Sequence, residues 1–132
     1  MTLMNCTVAD NSATRDGGGV FCSYSAADLT NCILWGDEPN EFVAGFSTTP
    51  TLAYCDVEGG HEGVGNIDAD PDFRSARGYD YILWPGSPGI DAATGGDDGV
   101  DWTSIRSRYG RHNTAAPDLG ASGGPDNVGG LP

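Results

Sequence analysis

Asp68, Asp70 and Asp72 occupy alternate positions, and Asp97, Asp98 and Asp101 follow in the same Gly-rich half of the chain. Carboxylates at such spacing in loops can gather hard oxygen ligands around Ca²⁺. Two known calcium patterns fail here. Counted from Asp68, the sixth and twelfth positions of an EF-hand loop fall on Phe73 and Tyr79 instead of Gly and Glu. Around Gly95-Gly96-Asp97-Asp98-Gly99-Val100-Asp101, glycine and aspartate sit at the wrong offsets for the nonapeptide calcium repeat. The expectation is that these side chains cap turns through nearby backbone amides. Calcium ligation is the alternative.

Other reactive types are scattered. The cysteines at 6, 22, 32 and 55 form no C-x-x-C pair, which excludes the usual zinc and redox motifs. Gly120-Ala121-Ser122-Gly123-Gly124 matches G-x-S-x-G but lacks the strand and helix that give a nucleophile elbow its meaning. His61 and His112 are far apart in polar loops. Arg106, Arg108 and Arg111 can bind an acidic group, though pairing with the many carboxylates is expected first. Trp35, Tyr79, Tyr81, Trp84 and Trp102 offer aromatic faces that can either stack on sugar rings or shield an exposed sheet end. Within this set, Tyr79, Tyr81, Trp84 and Trp102 are the candidate glycan contacts.

The chain has 132 residues, a net charge of −13 and no lysine. Such a surface repels nucleic acid and anionic membranes. No apolar run approaches the ~20 residues that span a bilayer. No signal peptide is visible, yet Met1 falls inside a repeat, so the chain reads as the end of something longer.

The elements that would position these residues come from a repeat. Leu3-Met4-Asn5-Cys6-Thr7-Val8 returns as Leu29-Thr30-Asn31-Cys32-Ile33-Leu34 and again as Leu52-Ala53-Tyr54-Cys55-Asp56-Val57, with cysteines 26 and 23 positions apart. A period in the twenties implies stacked units that cannot bury their own apolar faces alone. The paired apolar residues of each phrase, such as Leu29 and Leu34, are five positions apart. A straight strand would send them to opposite faces, so the chain must bend near each cysteine. The thiols are then expected as a buried stack of free groups at an inward corner, with one bridge, for example from Cys22 to a neighbour, as the alternative. With 21 Gly and 8 Pro, turns dominate and long helices are not expected. Gly17-Gly18-Gly19 supplies a sharp corner.

The predicted fold is all-β: a right-handed, single-stranded parallel β-helix, or solenoid, of two to three coils with a loop-rich C-terminal cap. Residues 1–58 form the coils. Residues 59–122, where the period is lost, form a cap packed on the last coil, with Tyr81-Ile82-Leu83-Trp84 as one more strand. Residues 123–132 form a flexible tail.

Gly17-Gly18-Gly19-Val20-Phe21-Cys22 followed by Leu29-Thr30-Asn31-Cys32-Ile33-Leu34-Trp35-Gly36 resembles the repeat of bacterial right-handed parallel β-helix surface proteins and is similar to those of polymorphic outer-membrane proteins. Gly65-Asn66-Ile67-Asp68-Ala69-Asp70-Pro71-Asp72-Phe73, Trp84-Pro85-Gly86-Ser87-Pro88-Gly89-Ile90-Asp91-Ala92 and Pro117-Asp118-Leu119-Gly120-Ala121 resemble the C-terminal part of "choice-of-anchor Q" proteins. Asp72 departs from that pattern, standing where an apolar residue is usual, and Ser122 stands where an aromatic is common. The resemblance implies an extracellular or cell-surface protein and carries over no catalytic residue. The expected role is non-catalytic, structural and adhesive or glycan-binding. The alternatives are a fragment of a polysaccharide-active, pectate-lyase-like enzyme and a calcium-stabilised module. Against the enzyme, residues 3–8, 18–24 and 29–35 hold no charged residue and no histidine. Expected partners are upstream coils of a longer parent chain or a second copy, meeting the strand edge at residues 3–8, and a polysaccharide.

Overall fold

The chain runs through short strands, paired across two-residue corners at 5–6, 31–32 and 54–55, and successive passes lie in register upon one another. The computed structural model describes residues 1–76, 79–83, 87–89 and 92–93. The strands are β1 (Thr2–Met4), β2 (Thr7–Ala9), β3 (Val20–Cys22), β4 (Ala26–Thr30), β5 (Ile33–Trp35), β6 (Phe42–Ala44), β7 (Thr49–Ala53), β8 (Asp56–Val57), β9 (Phe73–Ala76) and β10 (Tyr79–Leu83). No helix occurs among the described residues. Three sheets are parallel, ordered β1-β4-β7, β2-β5-β8 and β3-β6, and β9 pairs antiparallel with β10.

The register follows the cysteine spacing. Leu3 faces Leu29, which faces Leu52, and Val8 faces Leu34, which faces Val57. The expected bend is a left-handed backbone residue immediately before each cysteine: Asn5 at φ 52°, Asn31 at φ 56° and Tyr54 at φ 52°. Asparagine tolerates this region, whereas tyrosine is held there by its surroundings. The bend rotates the second strand, so Leu29 and Leu34 reach the same core and both are fully buried. Each thiol donates to the carbonyl two residues back, Cys6 to Met4 O at 3.2 Å, Cys32 to Thr30 O at 3.2 Å and Cys55 to Ala53 O at 3.3 Å. All four cysteines are free. The Cys55 thiol beside it, and then burial, push the Cys32 thiol up from its ordinary pKa.

Leu29, Leu34, Leu52, Val57, Val20 and Cys22 close the main core around these thiols. Burying one such aliphatic side chain stabilises by ~1.5–3 kcal/mol. Leu3, Cys6 and Val8, which occupy the equivalent positions on β1, its corner and β2, are only half-buried.

The triple glycine has a second reason beyond a sharp corner. Only Gly17 of the three has a left-handed backbone, at φ 72°. A Cβ on Gly18 would collide with the Glu38 carbonyl, and one on Gly19 with the Glu41 carbonyl and the Asp37 carboxylate. These two glycines give clearance to the turn of the next pass, whose Glu38 bridges Ser12.

On the far side, the chain folds back over its last strands. Val57 N donates to Ile67 O at 3.0 Å and Ile67 N to Cys55 O at 2.9 Å, so Ile67 extends the β2-β5-β8 sheet. The Asn66 side chain serves the corner: its Oδ1 accepts from Cys55 N at 2.9 Å, and its Nδ2 donates to Leu52 O at 3.1 Å. The strand expected around Tyr81-Ile82-Leu83 exists as β10, but it pairs antiparallel with β9 instead of adding to the parallel stack. It brings Leu83 against Ile33 in a second cluster with Ala93, flanked by Trp35, Ile67, Phe73 and Ala92. Ile33 lies next to a corner cysteine and points away from the main core. Residues 94–132, expected as the rest of the cap and the tail, lie outside the described residues.

Candidate functional site

Two surface features hold side chains that the packing does not use up. The first is aromatic. β3 and β6 pair with Val20 opposite Phe42 and Cys22 opposite Ala44, and beyond them Tyr24 N donates to Phe46 O at 2.7 Å. This brings the Tyr24 and Phe46 rings together, stacked at 6.3 Å with planes 25° apart. They are 76% and 78% exposed, and Phe21 on β3 is 55% exposed. Large exposed aromatics held by a rigid backbone are unusual unless something covers them.

The second is acidic. The turns after β5 and β8 bring Asp37, Glu41 and Glu58 to one cleft of about 460 Å³, which Glu38, Phe42 and His61 also line. Asn11 donates to Asp37 Oδ1 from its backbone N and from Nδ2, both at 2.8 Å. Asp37 N donates to Glu41 Oε1 at 2.9 Å, and Gly36 N to Glu58 Oε2 at 2.8 Å. Asp37 and Glu41 are buried, and Asp37 Oδ2 and Glu41 Oε2 have no hydrogen-bond partner. Burial, and then the carboxyl groups of Asp37 and Glu58 within hydrogen-bonding reach, push Glu41 up to about 8. Glu41 therefore favours its protonated form at neutral pH. The Phe42 and His61 rings meet edge to face at 5.5 Å.

Asp56 is a third buried carboxylate, on β8. Its Oδ1 accepts from Ala69 N at 3.2 Å and its Oδ2 has no partner. Burial raises it to about 7, aided by the nearby charges of Asp68 and Asp70.

The residues singled out from the sequence fall elsewhere. Asp70 Oδ1 accepts from Asp72 N at 2.8 Å, the turn-capping geometry that aspartate favours, whereas Asp68 Oδ1 accepts from Gly59 N at 3.1 Å, nine positions away. Among the described residues no group of three His, Cys, Asp or Glu side chains is arranged to hold a metal ion. Tyr81 turns inward: its ring meets Phe73 edge to face at 5.3 Å, and its hydroxyl donates to Asp10. Trp35 is half-buried beside Ile33. Tyr79 is placed in β10 by its backbone alone, and Asp97, Asp98, Asp101, Trp84, Trp102, His112 and the three clustered arginines lie outside the described residues.

Sequence reasoning passed over Tyr24, Phe46, Asp37, Glu41 and Glu58. Extending the repeat to align Gly19-Val20-Phe21-Cys22 with Glu41-Phe42-Val43-Ala44 would have stacked Tyr24 on Phe46. No family model, curated protein or solved structure matches the chain. Among the described residues no helix is long and apolar enough to cross a membrane.

Proposed function

We propose that this chain is the C-terminal end of a right-handed parallel β-helix in a secreted or surface-anchored protein, with an adhesive role in which its aromatic face stacks on a neutral polysaccharide. The exposed Tyr24–Phe46 pair, extended by Phe21, carries the reading. Flat apolar rings with a polar rim suit the faces of sugar rings. A net charge of −13 disfavours acidic glycans and leaves neutral ones. The half-covered Leu3, Cys6 and Val8, whose counterparts one pass later are fully buried, support a further coil of a parent chain on the β1 and β2 edge.

Affinity electrophoresis in gels containing a neutral β-glucan or xylan tests the proposal. Retardation without release of reducing ends is expected, and Tyr24→Ala or Phe46→Ala should weaken it by about tenfold. Unretarded migration with every neutral glycan, or release of reducing ends, would replace the adhesive reading.

A further inference from the structure

Stacking on sugars leaves the sulfur ladder unused. Met4 pairs with Thr30 and Thr7 with Ile33, then Thr30 with Ala53 and Ile33 with Asp56, so Cys6, Cys32 and Cys55 stand directly over one another. Each thiol donates to the same local partner, the carbonyl two residues back, at 3.2, 3.2 and 3.3 Å. The three side chains therefore share one orientation, and neighbouring sulfurs are about one strand spacing apart, ~4.8 Å. That gap is far longer than the ~2.05 Å bond of a disulfide. All four cysteines are free. Two first-row metal–thiolate bonds of ~2.3 Å laid end to end span the gap without moving either sulfur. Cys32 and Cys55 are fully buried, so the space between them is closed. Cys6 is half-buried, at the corner between the edge strands β1 and β2, so the space between Cys6 and Cys32 is reached from the open end of the stack.

We propose that Cys6 and Cys32 bind a soft monovalent cation, Cu(I), in a linear S–Cu–S bridge between the first two passes. Thiolate ligands select Cu(I) over hard cations. Among the described residues no three His, Cys, Asp or Glu side chains converge on one point, which disfavours Zn²⁺ with its three or four protein ligands and suits an ion content with two. The backbone fixes both sulfurs before the ion arrives: Asn5 N donates to Thr30 O at 3.1 Å and Ile33 N to Cys6 O at 2.9 Å, one on each side of the corner. The exchange balances without redox. Two S–H bonds break, two S–Cu bonds form, two protons leave to solvent, and copper stays Cu(I). The bridged pair carries one negative charge, which the half-buried position of Cys6 keeps close to solvent.

Anaerobic titration with Cu(I), supplied as its acetonitrile complex and read by competition with a chromophoric chelator, tests this directly. One tightly held Cu(I) per chain is expected, with an ultraviolet thiolate-to-copper band and an X-ray absorption spectrum showing two sulfur neighbours. Because two protons are displaced, affinity should rise by up to about a hundredfold per pH unit between pH 6 and 8. Cys6→Ala, at a half-buried position, should weaken binding at least about tenfold without loss of folding. Cys22→Ala and Cys55→Ala should bind as the unaltered chain does. Equal affinity in Cys6→Ala, loss of binding that follows Cys22 or Cys55 instead, three sulfur neighbours, or Zn²⁺ held as tightly as Cu(I) would overturn the proposal.

Discussion

The hydroxyl of Tyr81 donates to Asp10 Oδ2 at 3.0 Å, although 71 positions separate the two residues. Asp10 is the left-handed residue that ends β2, at φ 56°, and Tyr81 is itself left-handed, at φ 61°. The bond clamps the β9–β10 hairpin to the first pass of the chain, while Leu83 seats the same hairpin on Ile33 of the second. Tyr81→Phe keeps the ring against Phe73 and removes only the donor. A loss of about 1 kcal/mol in urea unfolding is expected, with faster amide exchange in β9 and β10 than in β4 and β5.

Leu29 sits at the centre of the stacked leucines, fully buried between Leu3 and Leu52. Leu29→Ala should cost ~2–5 kcal/mol by opening a cavity in close-packed surroundings. Leu3→Ala removes the same atoms from a half-buried site and should cost well under half as much. Paired denaturant curves measure the difference, and equal losses would contradict the burial gradient along the stack.

Gly19 and Gly59 fail differently when given a side chain. Gly59 has φ 81° with open space around its missing Cβ, so Gly59→Ala should cost only about 1 kcal/mol of backbone strain. Gly19→Ala drives a methyl into the Glu41 carbonyl and the Asp37 carboxylate, and should cost about 1–3 kcal/mol or more. Thermal melts of the two variants give the order, with Gly19→Ala the less stable.

Two buried carboxyls set a pH dependence. Folding raises Glu41 from 4.5 to about 8 and Asp56 from 3.8 to about 7. Between the ordinary and raised values the folded chain binds more protons than the unfolded one, so stability falls as pH rises. The contribution of Asp56 is complete below its ordinary value and lost by about pH 7, and that of Glu41 is lost by about pH 8. Urea midpoints should therefore decline from pH 5 to pH 8. Asp56→Asn, which retains an acceptor for Ala69 N, should flatten the decline below pH 7, and Glu41→Gln should flatten the part that persists above it.

Much of the stacking was legible in the amino-acid sequence, because Leu3, Leu29 and Leu52 and the three corner cysteines repeat nearly identical local chemistry. The bend itself was inferred from the odd spacing of Leu29 and Leu34. Its conformation was less visible, since Tyr54 occupies the same left-handed position as Asn5 and Asn31 without sharing their backbone preference. The acidic cleft was illegible for a different reason. Asp37, Glu41 and Glu58 belong to turns of two successive passes, and turns carry no periodic signature. Only their vertical superposition brings the carboxylates together. The aspartates at 68 and 70 had the better spacing on paper, but backbone amides claim an oxygen of each.

A parallel stack is a template, each layer offering the next an unsatisfied row of donors and acceptors. The carboxamide of Asn66 breaks that succession by imitating a peptide group, one oxygen for the Cys55 amide and one nitrogen for the Leu52 carbonyl. The backbone of Val64 and Ile67 pairs with the neighbouring groups of Tyr54, Cys55 and Val57, so the side chain and the returning chain together close this corner, and Asn66→Leu would leave the Cys55 amide and the Leu52 carbonyl without these partners.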